Sequence, residues 1–396
     1  MTDAILDLGK TMVNHSLIQE VSPDWQKLQA CMHCGSCSGF CPTAPAMDYT
    51  PRQLWHLIHL GLEEEVLNSN TFWLCTVCNS CTEHCPRDIE LTATMLELKE
   101  WAMSKGVGIP ENMTVLHNTI SEHYNISGDD NANRLIWASN LDRAPEGVQP
   151  KAQAEVLYFI GCVSSFYPRV YSIPQAFVQI LEAAGSDFST LGGEEWCCGY
   201  PFYVSGQRAR VADMAQHNLA RMQEMGAKRV VFTCPSCYYA WTHLYADFIQ
   251  PNGLIFQHAT EYLAELIEDG TLALGPVEEV VTYHDPCDLG RKSGVYDAPR
   301  YVLNSIPGLE FREVFACREN SLCCGGGGDV EVADPAVSGQ VAARRLGQFQ
   351  MTGATTVLSA CQQCKRTLQE GIRANKLRMR TKDIVELVLE SVQAAQ

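Results

Sequence analysis

Eighteen cysteines stand in four sets, and the spacing within each set suits iron binding. Two sets are runs of the form C-x2-C-x2-C-x3-C-P. "CMHCGSCSGFCP" holds Cys31, Cys34, Cys37 and Cys41, and "CTVCNSCTEHCP" holds Cys75, Cys78, Cys81 and Cys85. Three sulfurs at three-residue intervals can wrap one iron–sulfur cubane, while the fourth cysteine of the run ligates the other cluster. The expected sets are therefore Cys31, Cys34, Cys37 with Cys85, and Cys75, Cys78, Cys81 with Cys41, for two cubane [4Fe–4S] clusters. Zinc is the competing reading, but it typically takes its four cysteines as two well-separated pairs.

The other two sets hold five cysteines each and repeat one another: Cys162, Cys197, Cys198, Cys234 and Cys237, then Cys287, Cys323, Cys324, Cys361 and Cys364. The offset between the copies is 125 residues at the first cysteine, 126 at the adjacent pair and 127 at the last two. Neighbours such as Cys323 and Cys324 do not easily bridge each other, because a disulfide wants its Cα atoms further apart than one trans peptide allows. Five thiolates also exceed the four terminal ligands of a cubane. One cysteine is spare, or one bridges two irons, or the cluster is not a cubane. Adjacent sulfurs can serve neighbouring irons of an opened cluster, and Gly199 and Gly325 after each pair let backbone N–H groups approach the sulfides.

On these residues the chain resembles a known family. "GEEWCCGYPF" and "NSLCCGGGGD" look like the paired cysteine-rich CCG domains of the B and D subunits of heterodisulfide reductases. "PRQLWHLIHLGLEEEVLNSNTFWLCTVCNSCTEHCP" resembles the C subunit, or the N-terminal part of D. The resemblance implies that each five-cysteine set binds a noncubane [4Fe–4S] cluster and that two such clusters face a disulfide and cleave it reductively. The ten cysteines of the repeats are then the catalytic residues. Breaking an S–S bond takes two electrons, whereas an iron–sulfur cluster typically passes one at a time, so a duplicated site solves a counting problem. The alternative is an electron-transfer adaptor with no substrate of its own, linking a dehydrogenase or flavoprotein to a membrane quinone subunit.

Other residues carry weaker chemistry. His284 in "TYHDPC" could donate a proton to a leaving thiolate, or it caps or supports a cluster; its counterpart in the first repeat is near Phe159. Asp285 reads as a structural cap, and His33 and His84 as replaceable spacers within the runs. Arg291 and Lys292 could bind an anionic thiol substrate, although solvating a loop is the preferred reading. Cys317 is left over, a small hydrophobe expected to be buried. The glycine run lacks the G-K-[ST] ending of a phosphate loop, and no G-x-G-x-x-G follows a strand, so flavin or NAD would sit on another subunit.

The elements that must position these residues are legible in outline. "TPRQLWHLIHLGLEEEVLN" starts a helix, with Thr50 as N-cap and Pro51 at the first helical position. "ELTATMLELKEWAMSKG" is helical to near Gly106. "AEVLYFIGC", "RVVFTCPSC", "EEVVTYHDPC" and "TTVLSACQQC" are short β-branched runs ending at cysteines, with helical stretches between. Such alternation implies α/β units with sites at strand ends. The expected class is α+β multidomain: a helical two-[4Fe–4S] ferredoxin-type domain over 1–125, a linker over 126–152, and duplicated α/β CCG domains over 153–275 and 276–396.

Composition bounds the rest. The net charge of −17 argues against nucleic acid. Residues 1–149 hold 8 Lys and Arg against 19 Asp and Glu, an acidic block that could steer a basic redox partner. The stretch "MTDAILDLGK", acidic and with only a short apolar run, does not read as a secretory signal, and no apolar run is long enough to cross a membrane. Cysteine richness without export points to metal or redox use. A cytoplasmic subunit is expected, peripheral on the inner face of the membrane if a cytochrome or quinone subunit holds it, with flavoprotein partners and an anaerobic setting.

Overall fold

The computed structural model describes residues 13–245, 248–250 and 253–396. Its N-terminal block is helical: α1 (Pro51–His59), α2 (Leu91–Ser104) and α3 (Glu111–His123). Thr50 and Gln53 form the capping box that starts α1, with Pro51 in the first turn. The helix ends at Gly61, whose φ of +72° suits glycine. Trp55, Phe72, Leu98 and Ala102 are buried in a core of this block's own.

Two α/β units follow. The first is built from β1 (Val156–Phe159), α4 (Ser172–Ala183), β2 (Phe188–Ser189), α5 (Ala212–Glu224), β3 (Arg229–Phe232), β4 (Ile255–His258) and α6 (Ala259–Glu268). The second repeats it with β5 (Val280–His284), α7 (Asp297–Asn304), β6 (Glu310–Phe311), α8 (Pro335–Gln350), β7 (Thr356–Ser359), α9 (Gln362–Ala374), β8 (Arg380–Asp383) and α10 (Ile384–Ala394). Both sheets are parallel, ordered β2-β1-β3-β4 and β6-β5-β7-β8. The central strands are buried throughout or nearly so, as helices on both faces of a parallel sheet require. α4 packs on α10 and α6 on α7, so one hydrophobic core runs from Phe159 and Phe232 through to Tyr283 and Leu387.

Residues 126–152 are packed rather than a free tether. Trp137 is wholly buried in the shared core, and the Arg134 side chain is wholly enclosed beside the first cysteine set. No helix of the described residues is long and apolar enough to cross a membrane.

Candidate metal centres

The cysteines of the two N-terminal runs gather crosswise. Cys31 lies near Cys34, Cys37 and Cys85, and one hollow is lined by all four. Cys41 leaves its own run to join Cys75, Cys78 and Cys81. These are the two groups that crossed ligation requires. Their surroundings differ: burial pushes Cys37 up to about 11 and Cys41 up to about 12, while the Ser36 hydroxyl lowers exposed Cys34.

The five-cysteine sets assemble at the C-terminal ends of the central strands. Cys162 and Cys234 follow β1 and β3, and Cys287 and Cys361 follow β5 and β7. In the first set Cys237 Sγ lies 3.3 Å from Cys198 Sγ; in the second, Cys324 Sγ lies 3.3 Å from Cys364 Sγ. The adjacent pairs come in on loops whose glycines turn the amides inward. Gly199 N–H donates to Cys197 Sγ at 3.4 Å and Gly325 N–H to Cys323 Sγ at 3.3 Å, both glycines at positive φ. Nine of the ten sulfur-bearing residues line one cavity of ≈ 170 Å³, in which the two sets face each other. The tenth, Cys323, is turned the other way and meets Cys78 of the helical block.

The four-glycine run has a second use that its composition did not disclose. A Cβ on Gly328 would lie 2.2 Å from the Cys75 carbonyl oxygen, and one on Gly327 2.6 Å from that of Thr76. Only a side-chain-free loop lets the second α/β unit press onto the helical block at this depth.

Each five-cysteine set has its own buried polar support. Behind Cys162, Arg134 Nη2 lies 3.6 Å from the sulfur, while its Nη1 pairs with Glu195 at 2.8 Å. Glu195 also accepts the N–H groups of Ile160 and Gly161. Behind Cys324, His284 has a ring nitrogen within 4.8 Å of the sulfurs of Cys324 and Cys364. Arg345 Nε donates to His284 Nδ1 at 3.3 Å, and Nε2 is left without an oxygen or nitrogen partner. Burial lowers this imidazole's pKa. His284 does not line the cavity, so its position suits support of the cysteine set rather than direct proton transfer to a substrate.

Several expectations change. Lys292 and Arg291 do not solvate a loop. The Lys292 side chain is 5% exposed, pairs with Asp288 at 2.7 Å and donates to Tyr200 Oη at 2.7 Å. Against the cost of burial, Asp288 and Cys287 hold its ammonium pKa above the usual lysine range. Arg291 Nε donates to the Cys78 carbonyl at 2.7 Å. His84 is more than a spacer: it stacks on Phe40 and reaches Asn320 Oδ1 at 3.1 Å, across the contact with the second unit. His33 packs edge-on against His56 and His59. Asp285 anchors Arg300 through two hydrogen bonds of 2.8 and 2.9 Å and accepts Arg318 N–H. Cys317 is half-buried and packs against the hydrophobic cluster that includes Cys324, Cys361 and Cys364, without lining the cavity.

Sequence reasoning missed Arg134, Glu195, Arg345 and the cavity residue Asp329. Arg134 lies in a stretch of linker-like composition. For Lys292 a signal existed, since Asp288 stands four residues earlier.

Comparison with known proteins agrees with this arrangement. Residues 156–241 and 281–369 match the family described as cysteine-rich domain, CCG, and residues 27–89 match the 4Fe-4S dicluster domain. The D subunit of the dihydromethanophenazine:CoB–CoM heterodisulfide reductase of Methanosarcina barkeri is 31% identical, over 92% of this chain and 94% of its own length. The EtfAB:quinone oxidoreductase of Syntrophomonas wolfei is 29% identical over 83% of this chain, which spans 48% of that relative. The crystal structure of a hypothetical protein from Helicobacter pylori shares the fold, with a TM-score of 0.54 at 12% identity, over 96% of this chain and 77% of that one.

Proposed function

Because the chain belongs to the CCG-domain iron–sulfur oxidoreductases of the heterodisulfide reductase D type, we propose that it cleaves a disulfide, or a comparable two-electron acceptor, held between its two five-cysteine sets. The single cavity lined by both sets carries this reading.

The residues fit iron–sulfur groups in four places. None of the nineteen cysteines forms a disulfide, eighteen of them gather in sets of four or five, and buried His284, its Nε2 without an oxygen or nitrogen partner, lies at one set. Cys31, Cys34, Cys37 and Cys85 would hold one cubane, and Cys75, Cys78, Cys81 and Cys41 the other. Cys162, Cys197, Cys198, Cys234 and Cys237 would hold one noncubane cluster, and Cys287, Cys323, Cys324, Cys361 and Cys364 its counterpart. When bound, these groups would supply electrons one at a time. The chain orders them: exposed Cys34 offers a point of contact with a donor, the Cys78–Cys323 contact joins the helical block to the second α/β unit, and the cavity separates the last two sets. Gly199 and Gly325 amides stabilise thiolate charge, and Arg134 supplies a fixed cation beside Cys162.

The test is anaerobic incubation of the iron-loaded protein with reduced viologen and a panel of disulfides. Oxidation of the viologen in step with thiol release is expected; fully loaded protein inert to every disulfide would overturn the reading. The likeness to an EtfAB:quinone oxidoreductase favours a second reading, a relay between a flavoprotein and a quinone-reactive partner. Purification with a cytochrome-bearing membrane partner, and no disulfide turnover, would select it.

A further inference from the structure

Asp329 is the feature of the cavity that neither the cysteine motifs nor the fold accounts for. It follows the glycine run and lines the same cavity as both cysteine sets, five positions after Cys324. Its backbone adopts φ +58°, a left-handed conformation that a non-glycine residue takes at some cost. The side chain gains nothing locally from that cost. Asp329 stands at the N-cap of the short helix Val330–Ala333, yet its carboxylate caps no amide there.

The carboxylate instead turns to the helical block. His117 of α3, its side chain 2% exposed, lies with Nε2 3.4 Å from Asp329 Oδ2. The opposite ring nitrogen, Nδ1, is 2.8 Å from Gln207 Nε2, and Gln207 Oε1 accepts from Arg210 at 2.6 Å. With Gln207 so oriented its amide donates to Nδ1, which places the imidazole proton on Nε2, facing the carboxylate. Asp329 Oδ2 is thereby held, and among the described residues Oδ1 takes no hydrogen bond. Lys99 of α2 lies on the same side, its Nζ fully buried and donating to the Val204 carbonyl at 2.8 Å. The other charged groups lining the cavity are paired, Glu331 with Arg366 at 3.0 Å and Asp288 with Lys292 at 2.7 Å.

Resting on the disulfide reading above, we propose that Asp329 is the catalytic acid of the cavity, protonating one of the two leaving thiolates, with His117 as its positioning residue. The balance is RSSR′ + 2 e⁻ + 2 H⁺ → RSH + R′SH. The S–S bond breaks, each sulfur takes one electron from the reduced donor, and two S–H bonds form. One proton passes from the Asp329 carboxyl, which solvent at the cavity mouth recharges; the other comes from solvent directly. Burial raises the Asp329 pKa and so favours the protonated acid, opposed by His117 and Lys99. The substrate class that gains from this acid is one whose thiol products are poor leaving groups, namely alkyl rather than aryl disulfides, because a good leaving thiolate needs no proton.

The test uses the full iron-loaded chain with reduced viologen and matched alkyl and aryl disulfides. Asp329→Asn keeps the size of the side chain and its acceptor for His117 but removes the acidic proton. Turnover of the alkyl disulfide should fall by about 10²-fold or more, while the aryl rate changes far less. Iron content and cluster spectra should match wild type. The wild-type alkyl rate should decline as pH rises through the Asp329 pKa, and the variant should lose that limb. His117→Gln should move the limb without abolishing turnover. The wild-type infrared spectrum should contain a buried protonated-carboxyl band that Asp329→Asn deletes. Active wild type with an unchanged alkyl rate and pH profile in Asp329→Asn overturns this assignment alone. Wild type inert to all disulfides overturns the parent reading and this assignment with it.

Discussion

Arg134 shows how much of a site can rest on one side chain outside every motif. It is wholly buried, its guanidinium shared between Glu195 and the Cys162 sulfur. Truncating one partner of a buried ion pair leaves the other charged and unsolvated, at a cost of about 3–5 kcal/mol. Arg134→Met is therefore expected to lower the denaturation midpoint of the protein and to deplete iron from the first five-cysteine set before the other three. Denaturant titration with iron and sulfide assays checks both. The cysteines themselves were legible because ligand spacing is set by cluster size, which every sequence carrying the group must respect. Arg134 was not, because "GDDNANRLIWASN" has the polar composition of a loop, and only the closed tertiary structure shows its Arg and Trp137 turned inward. Lys292 was misjudged for a related reason. A charged residue near glycines reads as solvated until Asp288, Tyr200 and Tyr239 are seen to enclose it.

Among the elements, the strands behaved as their β-branched runs indicated, since a parallel sheet covered on both faces leaves little room for other patterns. The strand-end loops were less readable. The glycine after Cys324 was expected to let backbone N–H groups approach the cluster, and the structure adds close docking on the helical block through Gly327 and Gly328. An alanine at 328 would place Cβ 2.2 Å from a backbone oxygen at φ +64°, and backbone cannot swing aside as a side chain can. Gly328→Ala should part the Cys78–Cys323 contact while leaving each hydrophobic core intact. The expected outcome is near-normal iron loading with slowed electron transfer from the N-terminal clusters to the five-cysteine sets. Stopped-flow reduction, followed at wavelengths specific to each cluster type, measures it.

On the scale of the whole molecule, charge is arranged against its own average. The chain carries −17 overall and its first third is strongly acidic, yet the hollow around Cys34, the one exposed cysteine, is flanked by Arg52 and Arg87. Neither arginine is paired with a carboxylate among the described residues. Met32, 59% exposed, lines the same hollow, giving an apolar contact with a cationic rim. That surface suits a donor with acidic edges, the reverse of the basic partner that the acidity of the first third suggested. Reversing both charges, Arg52→Glu with Arg87→Glu, should slow reduction by a small acidic ferredoxin several-fold and flatten its dependence on salt. Reduction by cationic viologen should not slow. Rates measured across a range of ionic strength decide the matter.

The unbroken core beneath the two α/β units has a consequence for ancestry as well as for folding. Each copy now serves as the other's roof, with α4 against α10 and α6 against α7 keeping both greasy walls dry. A duplicated gene product that once stood alone must have closed this seam by pairing with its twin, and fusion made the pairing permanent. Neither half can be pruned or traded away singly, because the survivor would inherit a wet wall along with half of a shared chamber.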